Sequence, residues 1–407
     1  MFSGRQLALF LDGTWNTTDD NTNIWRLRSI CESGPEQAVY YDTGVGTAFG
    51  ERVRGGLFGY GLSEEVVQAY RWIMESYRPG DRIFIFGFSR GAFTARSLAG
   101  FISKCGMLKP GAPISLKQLY ARYRREKINS IRRINTMAES DLCQEEKWLK
   151  RYSMPIPIWF QGVFDTVGAL GVPFGNFPRL SRTEFSFLET DLRINNTRAF
   201  QALAIDEHRE AFAPTLWKKT VTAGSDSYPP RSIDDVEQRW FPGAHADIGG
   251  GYDDGLLAQH PLRWLLNRAK QRGLRVKDEV EIDLDSNLAP IHDSFAQMGG
   301  GVYRMIKLGK RHYREIGSKP LVIGNETTTM INESIDASVF DRWRDDKTYR
   351  PKNLVTWANV YDVDPTELVS SVRADNPHIE ISDVLAVQET AATLVATPSS
   401  ASSAAIP

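Results

Sequence analysis

The sequence predicts an α/β protein that is built on a mostly parallel central sheet with helices on both faces. Short continuous apolar runs, such as Leu7–Leu11 and Ile83–Phe86, are typical of strands that are buried on both sides of a parallel sheet. Between these runs lie segments with helical spacing of their apolar residues. The chain has 407 residues, which is sufficient for one large domain of this kind with insertions.

The elements can be assigned in chain order. Strands are predicted at Leu7–Leu11, Val39–Tyr41, Arg82–Phe88, Ile156–Phe164 and Val236–Phe241. Helices are predicted from Ser63 to Tyr77, from Ala92 to Ile102, from Asn196 to Phe212 and from Pro261 to Arg272. The first of these helices has a typical N-cap in Ser63 and a typical stop in Pro79-Gly80. In this assignment, turns that carry polar residues repeatedly follow the end of a strand.

The chain divides into a core, an insertion and a C-terminal region. Residues 1–106 and 153–275 carry the pattern of strands and helices and form the predicted core. Residues 107–152 change to long, charged helical sequence, which predicts an inserted helical cap. Residues 276–390 have weaker periodicity and are predicted to be a C-terminal extension that packs on the core or the cap. The Ala, Ser and Thr-rich residues 391–407 are expected to form a flexible tail.

One apolar run leads directly into Gly87-Phe88-Ser89-Arg90-Gly91 and then into a helical pattern. A strand, a sharp turn and a helix around Gly-x-Ser-x-Gly form the nucleophile elbow of the α/β-hydrolase fold. The serine of such a turn sits in a strained backbone conformation, and the two glycines leave room where strand and helix pass closest. We therefore predict an α/β-hydrolase fold in which Gly87 and Gly91 support Ser89.

Three predicted strands each end in a loop with one candidate catalytic residue, namely Ser89, Asp165 and His245. A serine nucleophile needs a base within hydrogen-bond reach and a carboxylate that orients the base. In α/β-hydrolases these residues follow in the order Ser, Asp or Glu, His. The carboxyl ends of parallel strands share one edge of the sheet, so the three side chains can converge. We predict that Ser89 is the nucleophile, Asp165 the acid and His245 the base.

Simpler interpretations exist for these residues. Ser89 could be an ordinary turn serine, and Asp165 could cap a helix. Among the six histidines, His292 is the rival base, because it lies in Ile291-His292-Asp293-Ser294. The position after a strand favours His245.

The oxyanion hole is predicted at backbone N–H groups close to the nucleophile. One donor is Arg90, the residue after Ser89, and the other is supplied by Gly13 or Thr14 in the turn after the first strand. Asp12 is expected to brace that turn. Asp247 is expected to support the site from the loop that carries His245.

A metal site is the alternative chemistry for these carboxylates. His245, Asp247, Asp253 and Asp254 lie close together in a glycine-rich stretch, but their spacing matches no named metal site. A serine mechanism requires neither a metal nor a cofactor, and we predict none. A metal-dependent phosphoesterase that uses Asp12, Asp247 and Asp253 is kept as an alternative.

Composition argues against several partner classes. The 49 basic and 50 acidic residues give a net charge of -1, so nothing overall indicates binding to nucleic acid. The three cysteines lack metal-ligand spacing and favour reduced thiols. No signal-peptide pattern and no apolar stretch of membrane-spanning length is found. We therefore expect a cytoplasmic protein, with any export by a signal-independent route.

The predicted cap is rich in basic residues, and an apolar stripe of Leu, Ile and Tyr residues runs beside them. The basic residues are Lys117, Arg122, Arg124, Arg125, Lys127, Arg132 and Arg133. A solvated helix face is the commonest explanation for such a pattern. Peripheral docking on an anionic membrane is the alternative, because Leu and Tyr side chains can then bury at the interface.

Several blocks resemble the signature of a single protein family. They are Leu11-Asp12-Gly13-Thr14-Trp15-Asn16, Tyr41-Asp42-Thr43-Gly44-Val45-Gly46-Thr47, Phe86-Gly87-Phe88-Ser89-Arg90-Gly91-Ala92, Phe164-Asp165-Thr166-Val167-Gly168, Ala204-Ile205-Asp206-Glu207-His208-Arg209 and His245-Ala246-Asp247-Ile248-Gly249-Gly250-Gly251-Tyr252. They are similar to a bacterial and fungal α/β-hydrolase family long catalogued as a domain of unknown function. That family includes the class-one type VI secretion phospholipase effectors, which are longer and carry an additional membrane-associating region.

The resemblance implies the same nucleophile, acid and base that the strand ends indicate. It also implies a phospholipid substrate, with secretion machinery and an immunity protein as further partners. We therefore expect a serine hydrolase that cleaves carboxylic esters of phospholipids or other lipids through an acyl-enzyme. A non-catalytic module of the same fold that binds lipid or protein is the second hypothesis, and covalent labelling of Ser89 separates the two.

Overall fold

The computed structural model describes residues 4–13, 21–44, 57–125, 128–167, 196–222, 230–283 and 286–382. Its strands are β1 (Gln6–Leu11), β2 (Gln37–Asp42), β3 (Arg82–Phe88), β4 (Met107–Leu108), β5 (Ser153–Met154), β6 (Phe160–Phe164), β7 (Ala199–Ala204), β8 (Lys218–Thr222), β9 (Val236–Phe241), β10 (Leu321–Ile323), β11 (Glu326–Met330), β12 (Glu333–Ile335), β13 (Ser371–Arg373) and β14 (Asn376–Ile381).

Its α-helices are α1 (Asn23–Ile30), α2 (Leu57–Ser76), α3 (Arg90–Cys105), α4 (Leu116–Tyr123), α5 (Ile131–Thr136), α6 (Gln144–Tyr152), α7 (His245–Gly249), α8 (Gln259–Lys270), α9 (Ser294–Gln297), α10 (Val302–Ile306), α11 (Ala337–Asp345) and α12 (Lys352–Tyr361). Short 3-10 helices lie at Glu139–Asp141, Glu210–Phe212, Ser286–Leu288 and Met298–Gly301. In the described part of the chain, no helix combines the length and the apolar composition that crossing a membrane requires.

The central sheet has nine strands in the order β14-β13-β12-β9-β7-β6-β3-β1-β2. All neighbours from β2 to β12 pair in parallel, and β13 and β14 extend the edge in antiparallel pairing. The predicted fold is confirmed: this is an α/β-hydrolase fold with a mostly parallel sheet. Because the strands are parallel, β3, β6 and β9 end at the same edge of the sheet.

Both faces of the sheet are covered, which explains the continuous apolar runs. Leu9 and Leu11 of β1 join a core with helices α2 and α3 on one face, while Ala8 and Phe10 join a core with α1 and α8 on the other. All six residues of β1 are buried. Successive side chains of a strand point to opposite faces, so a strand between two helical layers needs apolar residues at every position.

The insertion at residues 107–152 is helical, as expected, but it does not sit over Ser89. The Phe101 ring on α3 contacts the rings of Tyr120 and Tyr123 at centroid distances of 5.5 and 5.2 Å. Phe101 is twelve positions after Ser89, which is roughly 18 Å along a helix axis. The described part of the insertion therefore packs beside the C-terminal end of α3, and the term cap does not describe its position.

The basic face of the insertion is smaller than the sequence indicates. Arg122 is buried and its Nη1 donates to Glu145 Oε2 at 2.8 Å. Arg125 also pairs with Glu145, which belongs to α6. Lys127 lies outside the described residues. Two of the predicted membrane-facing cations are thus held by an acid from a neighbouring helix.

Two further expectations are wrong. Residues 276–390 do not simply pack on the core, because β12, β13 and β14 from this region are strands of the central sheet itself. The helix predicted from Asn196 to Phe212 is instead the fully buried strand β7. Its Ala-rich sequence favours a helix locally, but burial between β6 and β9 outweighs that preference. The expected tail at 391–407 lies outside the described residues.

Candidate active site

Ser89 occupies the sharp turn between β3 and α3. Its backbone has φ 55° and ψ -117°, a strained conformation for a residue other than glycine. A Cβ at Gly87 would lie 2.5 Å from the carbonyl oxygen of Gly91, and a Cβ at Gly91 would lie 2.1 Å from the carbonyl oxygen of Leu11. The turn therefore requires both glycines, and it brings Ser89 to the edge of the sheet where β6 and β9 also end.

His245 connects Ser89 to Asp165 through both nitrogens of its ring. Nε2 of His245 lies 2.8 Å from Oγ of Ser89, and Nδ1 lies 2.5 Å from Oδ2 of Asp165. An ionised carboxylate only accepts hydrogen bonds, so Nδ1 carries the proton and Nε2 accepts from the Ser89 hydroxyl. The rings of Phe88 and Phe212 flank the imidazole at centroid distances of 4.8 and 5.1 Å. The structure thus brings together the three side chains that the sequence predicts as nucleophile, base and acid.

Each member of this arrangement comes from a strand end. Asp165 directly follows β6, which pairs with β3, and His245 is the first residue of α7, shortly after β9. At the other end of α7, a Cβ on Gly249 would lie 1.9 Å from Cε2 of Phe88. This close approach holds α7 against the end of β3 and thereby places His245 opposite Ser89.

Asp165 is fully buried and receives more than one charge-assisted contact. Nη1 of Arg314 donates to its Oδ1 at 2.7 Å, Nη2 donates to its Oδ2 at 3.0 Å, and the backbone N–H of Ala204 donates to Oδ1 at 3.2 Å. Burial alone raises the pKa of Asp165, but the charge of Arg314 and the hydrogen bond from His245 outweigh it and hold that pKa well below its usual range. The carboxylate is therefore ionised at neutral pH.

A second buried carboxylate, Glu207, lies behind the backbone of His245. Arg209 donates to it from Nε at 2.8 Å and from Nη2 at 2.7 Å, and Ser294 Oγ donates at 3.0 Å. The backbone N–H of His245 is 3.3 Å from Glu207 Oε2. Burial raises the pKa of Glu207, but the hydrogen bonds and charge of Arg209 lower it to about 2. Glu207 thus helps to fix the start of α7.

Arg314 and Glu207 contact the predicted triad, and neither was predicted from the sequence. Glu207 belongs to the block Ala204–Arg209, which carries the family resemblance, so a signal for it was available. Arg314 is one of several basic residues in its stretch of chain, and only the folded contact distinguishes it.

The rival base His292 contacts Asp247 and not Ser89. Nδ1 of His292 lies 2.7 Å from Oδ1 of Asp247, and Tyr252 stacks on the imidazole at a centroid distance of 3.6 Å. Asp247 Oδ2 accepts from the backbone N–H of Ala244 at 2.8 Å. Asp247 therefore links the start of α7 to the segment that carries His292.

Asp12 braces the turn after β1. Its Oδ2 accepts from Thr22 Oγ1 at 2.6 Å and from the Tyr41 hydroxyl at 3.1 Å, and its Oδ1 accepts from the backbone N–H of Gly13 at 2.7 Å. The predicted oxyanion donor Gly13 is therefore engaged with Asp12 in this state.

The other predicted oxyanion donors are Arg90 and Thr14. Arg90 is the first residue of α3, so its backbone N–H is directed toward the N-terminal end of that helix, where partial positive charge accumulates. Thr14 lies outside the described residues.

The carboxylates of the alternative metal site belong to separate hydrogen-bond networks. Asp12 and Asp247 belong to the two networks just described, and Asp254 Oδ2 is 3.8 Å from Nε2 of His292. Within the ranges that the structure describes, no group of three or more His, Cys, Asp or Glu side chains is arranged to hold a metal ion.

Comparison with known proteins gives a family match over most of the chain. Residues 5–268 match the family described as T6SS, Phospholipase effector Tle1-like, catalytic domain, where T6SS stands for the type VI secretion system. A stretch of 189 residues, 42% of this chain, is 32% identical to the uncharacterized protein YEL023C of Saccharomyces cerevisiae. The chain covers 28% of the length of that yeast protein.

Two solved structures are similar at low identity. An uncharacterized protein from Pseudomonas aeruginosa is 20% identical with a TM-score of 0.41, and the match covers 75% of this chain and 51% of that one. The Tle1 effector bound to the VgrG spike of the type 6 secretion system is 16% identical with a TM-score of 0.39, over 75% of this chain and 80% of that one.

Proposed function

The chain belongs to the family of T6SS Tle1-like phospholipase effector catalytic domains, and on that premise we propose that it is a serine hydrolase of phospholipid esters. The observation that carries the proposal is the continuous set of hydrogen bonds from Ser89 through His245 to the ionised Asp165. A serine needs an oriented base within hydrogen-bond reach to attack an acyl carbon, and a strained turn is what exposes that serine in α/β-hydrolases.

In the first half of the reaction, Ser89 Oγ attacks the ester carbonyl carbon while its proton moves to Nε2 of His245. The carbonyl π electrons move to the carbonyl oxygen and form a tetrahedral oxyanion. When this intermediate collapses, the bond to the alcohol oxygen breaks, and Nε2 delivers its proton to that oxygen. The alcohol part of the lipid leaves, and the acyl group stays on Ser89.

In the second half, His245 takes a proton from water, and the resulting hydroxide attacks the acyl carbon. Collapse of the second tetrahedral intermediate breaks the bond to Ser89 Oγ, which recovers the proton from Nε2, and the fatty acid is released. Asp165 remains ionised throughout and stabilises the imidazolium that forms twice in each cycle.

The oxyanion is proposed to accept from the backbone N–H of Arg90, which follows the nucleophile at the N-terminus of α3. Gly13 can serve as the second donor only if its N–H leaves Asp12. Thr14 is the neighbouring donor in the same turn.

The test is the Ser89→Ala variant, assayed against phospholipid vesicles and short nitrophenyl esters. We expect ester turnover to fall by at least about 10⁴-fold, because the base then has no nucleophile to activate. A fluorophosphonate probe is expected to label the wild type and not the variant. The matched control is Ser29→Ala, since Ser29 is an exposed serine on α1.

Retained turnover in Ser89→Ala would contradict the mechanism. Turnover that a chelator abolishes, together with no labelling of Ser89, would instead support the metal-dependent phosphoesterase. If the probe does not label the wild type and the wild type turns over no ester, the chain is better described as a non-catalytic binding module.

A further inference from the structure

A short segment that follows three consecutive glycines exposes large apolar side chains. Val302, Met305, Ile306 and Leu308 are 45, 76, 58 and 84% exposed. The three glycines all have left-handed backbone conformations and separate this segment from α9. Clustered exposed apolar residues on a soluble domain mark a surface that contacts something else.

The charged residues of this segment are all basic. The sequence from Ser294 to Arg314 contains no acidic residue. Arg304 and Lys310 are exposed among the apolar side chains, and Lys307 is half-buried beside them. Basic groups beside apolar side chains suit an anionic lipid surface, where the cations meet the phosphates and the apolar groups enter the acyl boundary.

One buried ring and one ion pair hold the segment in place. Tyr303 is 1% exposed, and its ring meets that of Phe295 edge-on at a centroid distance of 5.7 Å. Lys307 Nζ donates to Glu210 Oε2 at 2.9 Å. Because Tyr303 points inward, its neighbours on this short helix point outward.

These contacts also place the segment next to the candidate active site. Glu210 begins the 3-10 helix that ends at Phe212, and the ring of Phe212 contacts that of His245. Met298, just before the glycines, has its Sδ 3.8 Å from Nη1 of Arg209. A surface bound at this segment would therefore lie beside the residues that flank the catalytic base.

We propose that residues 302–310 form a docking segment that seats the protein on an anionic phospholipid bilayer next to its active site. The proposal rests on the proposed function, because a phospholipid hydrolase must reach ester bonds at a membrane surface. It assigns the membrane contact to the C-terminal region, where the exposed cations Arg304 and Lys310 lie among exposed apolar side chains. In the insertion, Arg122 is buried, and both it and Arg125 pair with Glu145.

The test measures binding to vesicles with full-length protein that carries Ser89→Ala, so that no lipid is consumed. The docking variant adds Ile306→Glu and Leu308→Glu. The matched control adds Leu321→Glu and Ile323→Glu, which replace the same residue types at 57 and 67% exposure on β10. Melting temperatures of all three proteins establish that they are folded.

We expect the parent to bind phosphatidylglycerol vesicles in preference to phosphatidylcholine vesicles. The docking variant should lose at least about tenfold in affinity for phosphatidylglycerol vesicles, since two apolar groups are replaced by repelled charges, whereas the control should bind like the parent. Equal affinity of the docking variant and the parent would overturn the proposal, and so would an equal loss in the control.

Sedimentation analysis tests whether this surface instead binds a second copy of the chain. If the docking variant changes from dimer to monomer with unchanged vesicle affinity, the segment is an interface between copies of the chain and the proposal is wrong. Failure of the proposed function would give a different result. The docking variant would still bind vesicles more weakly than the parent, but the protein with Ser89 intact would show no ester turnover.

Discussion

Arg314 does more than fill space beside Asp165. Its guanidinium is fully buried, contacts both carboxylate oxygens and donates to the backbone oxygens of Ala204 and Phe212, at 2.8 and 2.5 Å. The bidentate geometry orients the carboxylate, and the positive charge keeps it ionised although it is fully buried. We therefore expect Arg314 to position the acid without touching the substrate.

Replacing Arg314 with Met should lower kcat by about 10- to 100-fold and change KM little. It should also move the acidic limb of the kcat/KM profile to higher pH. The pKa of Asp165 is held low by a positive charge, so removing that charge raises it, and the catalytic ionisation state is then lost sooner as the pH falls. Hydrolysis of a short nitrophenyl ester across a pH series measures both effects.

The Arg314→Lys variant separates charge from geometry, because it keeps the charge and loses the bidentate fork. Its acidic limb should stay near that of the wild type while kcat falls. Arg311→Met is the matched control, since Arg311 pairs with Asp293 near the surface of the same segment. If Arg314→Met lowers the maximum of the kcat/KM profile but leaves its acidic limb at the same pH, the role of Arg314 is merely structural.

A site residue could be predicted where the sequence next to it marks its role. Ser89, Asp165 and His245 each stand at a strand end with a recognisable turn, so local sequence pointed to them. Arg314 is separated from Asp165 by 149 positions, and nothing near it in the sequence marks its role. Contacts of this kind are properties of the tertiary structure.

At the scale of elements, the five-residue helix α7 has the most demanding position. It carries His245 at its start and Gly249 at its end, and the end is wedged against Phe88 of β3. The element has little freedom, because Ala244 N–H and His292 N–H both donate to Asp247 within it.

Gly249→Ala should therefore impair activity through a change that touches no catalytic atom. The added methyl group would overlap the Phe88 ring, which must displace either β3 or α7. We expect a loss of about 1–3 kcal/mol in the free energy of unfolding and a fall of at least about tenfold in kcat. Chemical denaturation and ester turnover measure these quantities.

The control for this variant is Gly34→Ala, because a Cβ at Gly34 would meet nothing within 4 Å. In a Phe88→Ala background, Gly249→Ala should cost less stability than it does in the wild type, since the overlapping ring is then absent. A Gly249→Ala protein as active and as stable as the wild type would mean that α7 can shift freely.

Elements were predictable where the apolar residues form an uninterrupted run, as in β1 and β3. Strand β7 was not, because Ala199-Phe200-Gln201-Ala202-Leu203-Ala204 has the composition of a helix and becomes a strand only between two neighbours. Since Glu207 lies three residues after β7, the same misassignment placed it on a helix.

At the scale of the whole molecule, the C-terminal region completes the fold that the family match begins. The match ends at residue 268, whereas β12 pairs in parallel with β9 at the register Ile335 to Trp240. Around these residues a third core forms with Phe340 and Trp357. The sequence beyond residue 276 did not predict this, because β12 and β13 have only three residues each, too few to show a strand periodicity.

Glu333 at the start of β12 should make stability depend on pH. Its carboxylate accepts from Trp240 Nε1 at 3.0 Å and from the backbone N–H of Gly317 at 3.2 Å. Burial raises its pKa to about 7 in spite of these bonds. The native state therefore holds the proton more tightly than the unfolded chain, and this contribution to stability, present below about pH 4, is lost as the pH rises through 7.

Thermal or chemical unfolding between pH 5 and 8 tests this expectation. The wild type should become less stable with rising pH by an amount on the order of 1–3 kcal/mol more than Glu333→Gln, which cannot ionise. Parallel stability curves for the two proteins would contradict it. The comparison with the variant removes the contribution of other titrating groups.

The distance along the chain between Asp165 and Arg314 has a consequence for synthesis. A ribosome adds residues in order, so a growing chain already contains Ser89, Asp165 and His245 before Arg314 has been made. During that interval Asp165 lacks its counter-charge, and burying it would leave an uncompensated anion inside the protein. The proposed triad can therefore be completed only after most of the polypeptide has been translated, so an unfinished chain should lack the ester turnover that we propose for the whole one.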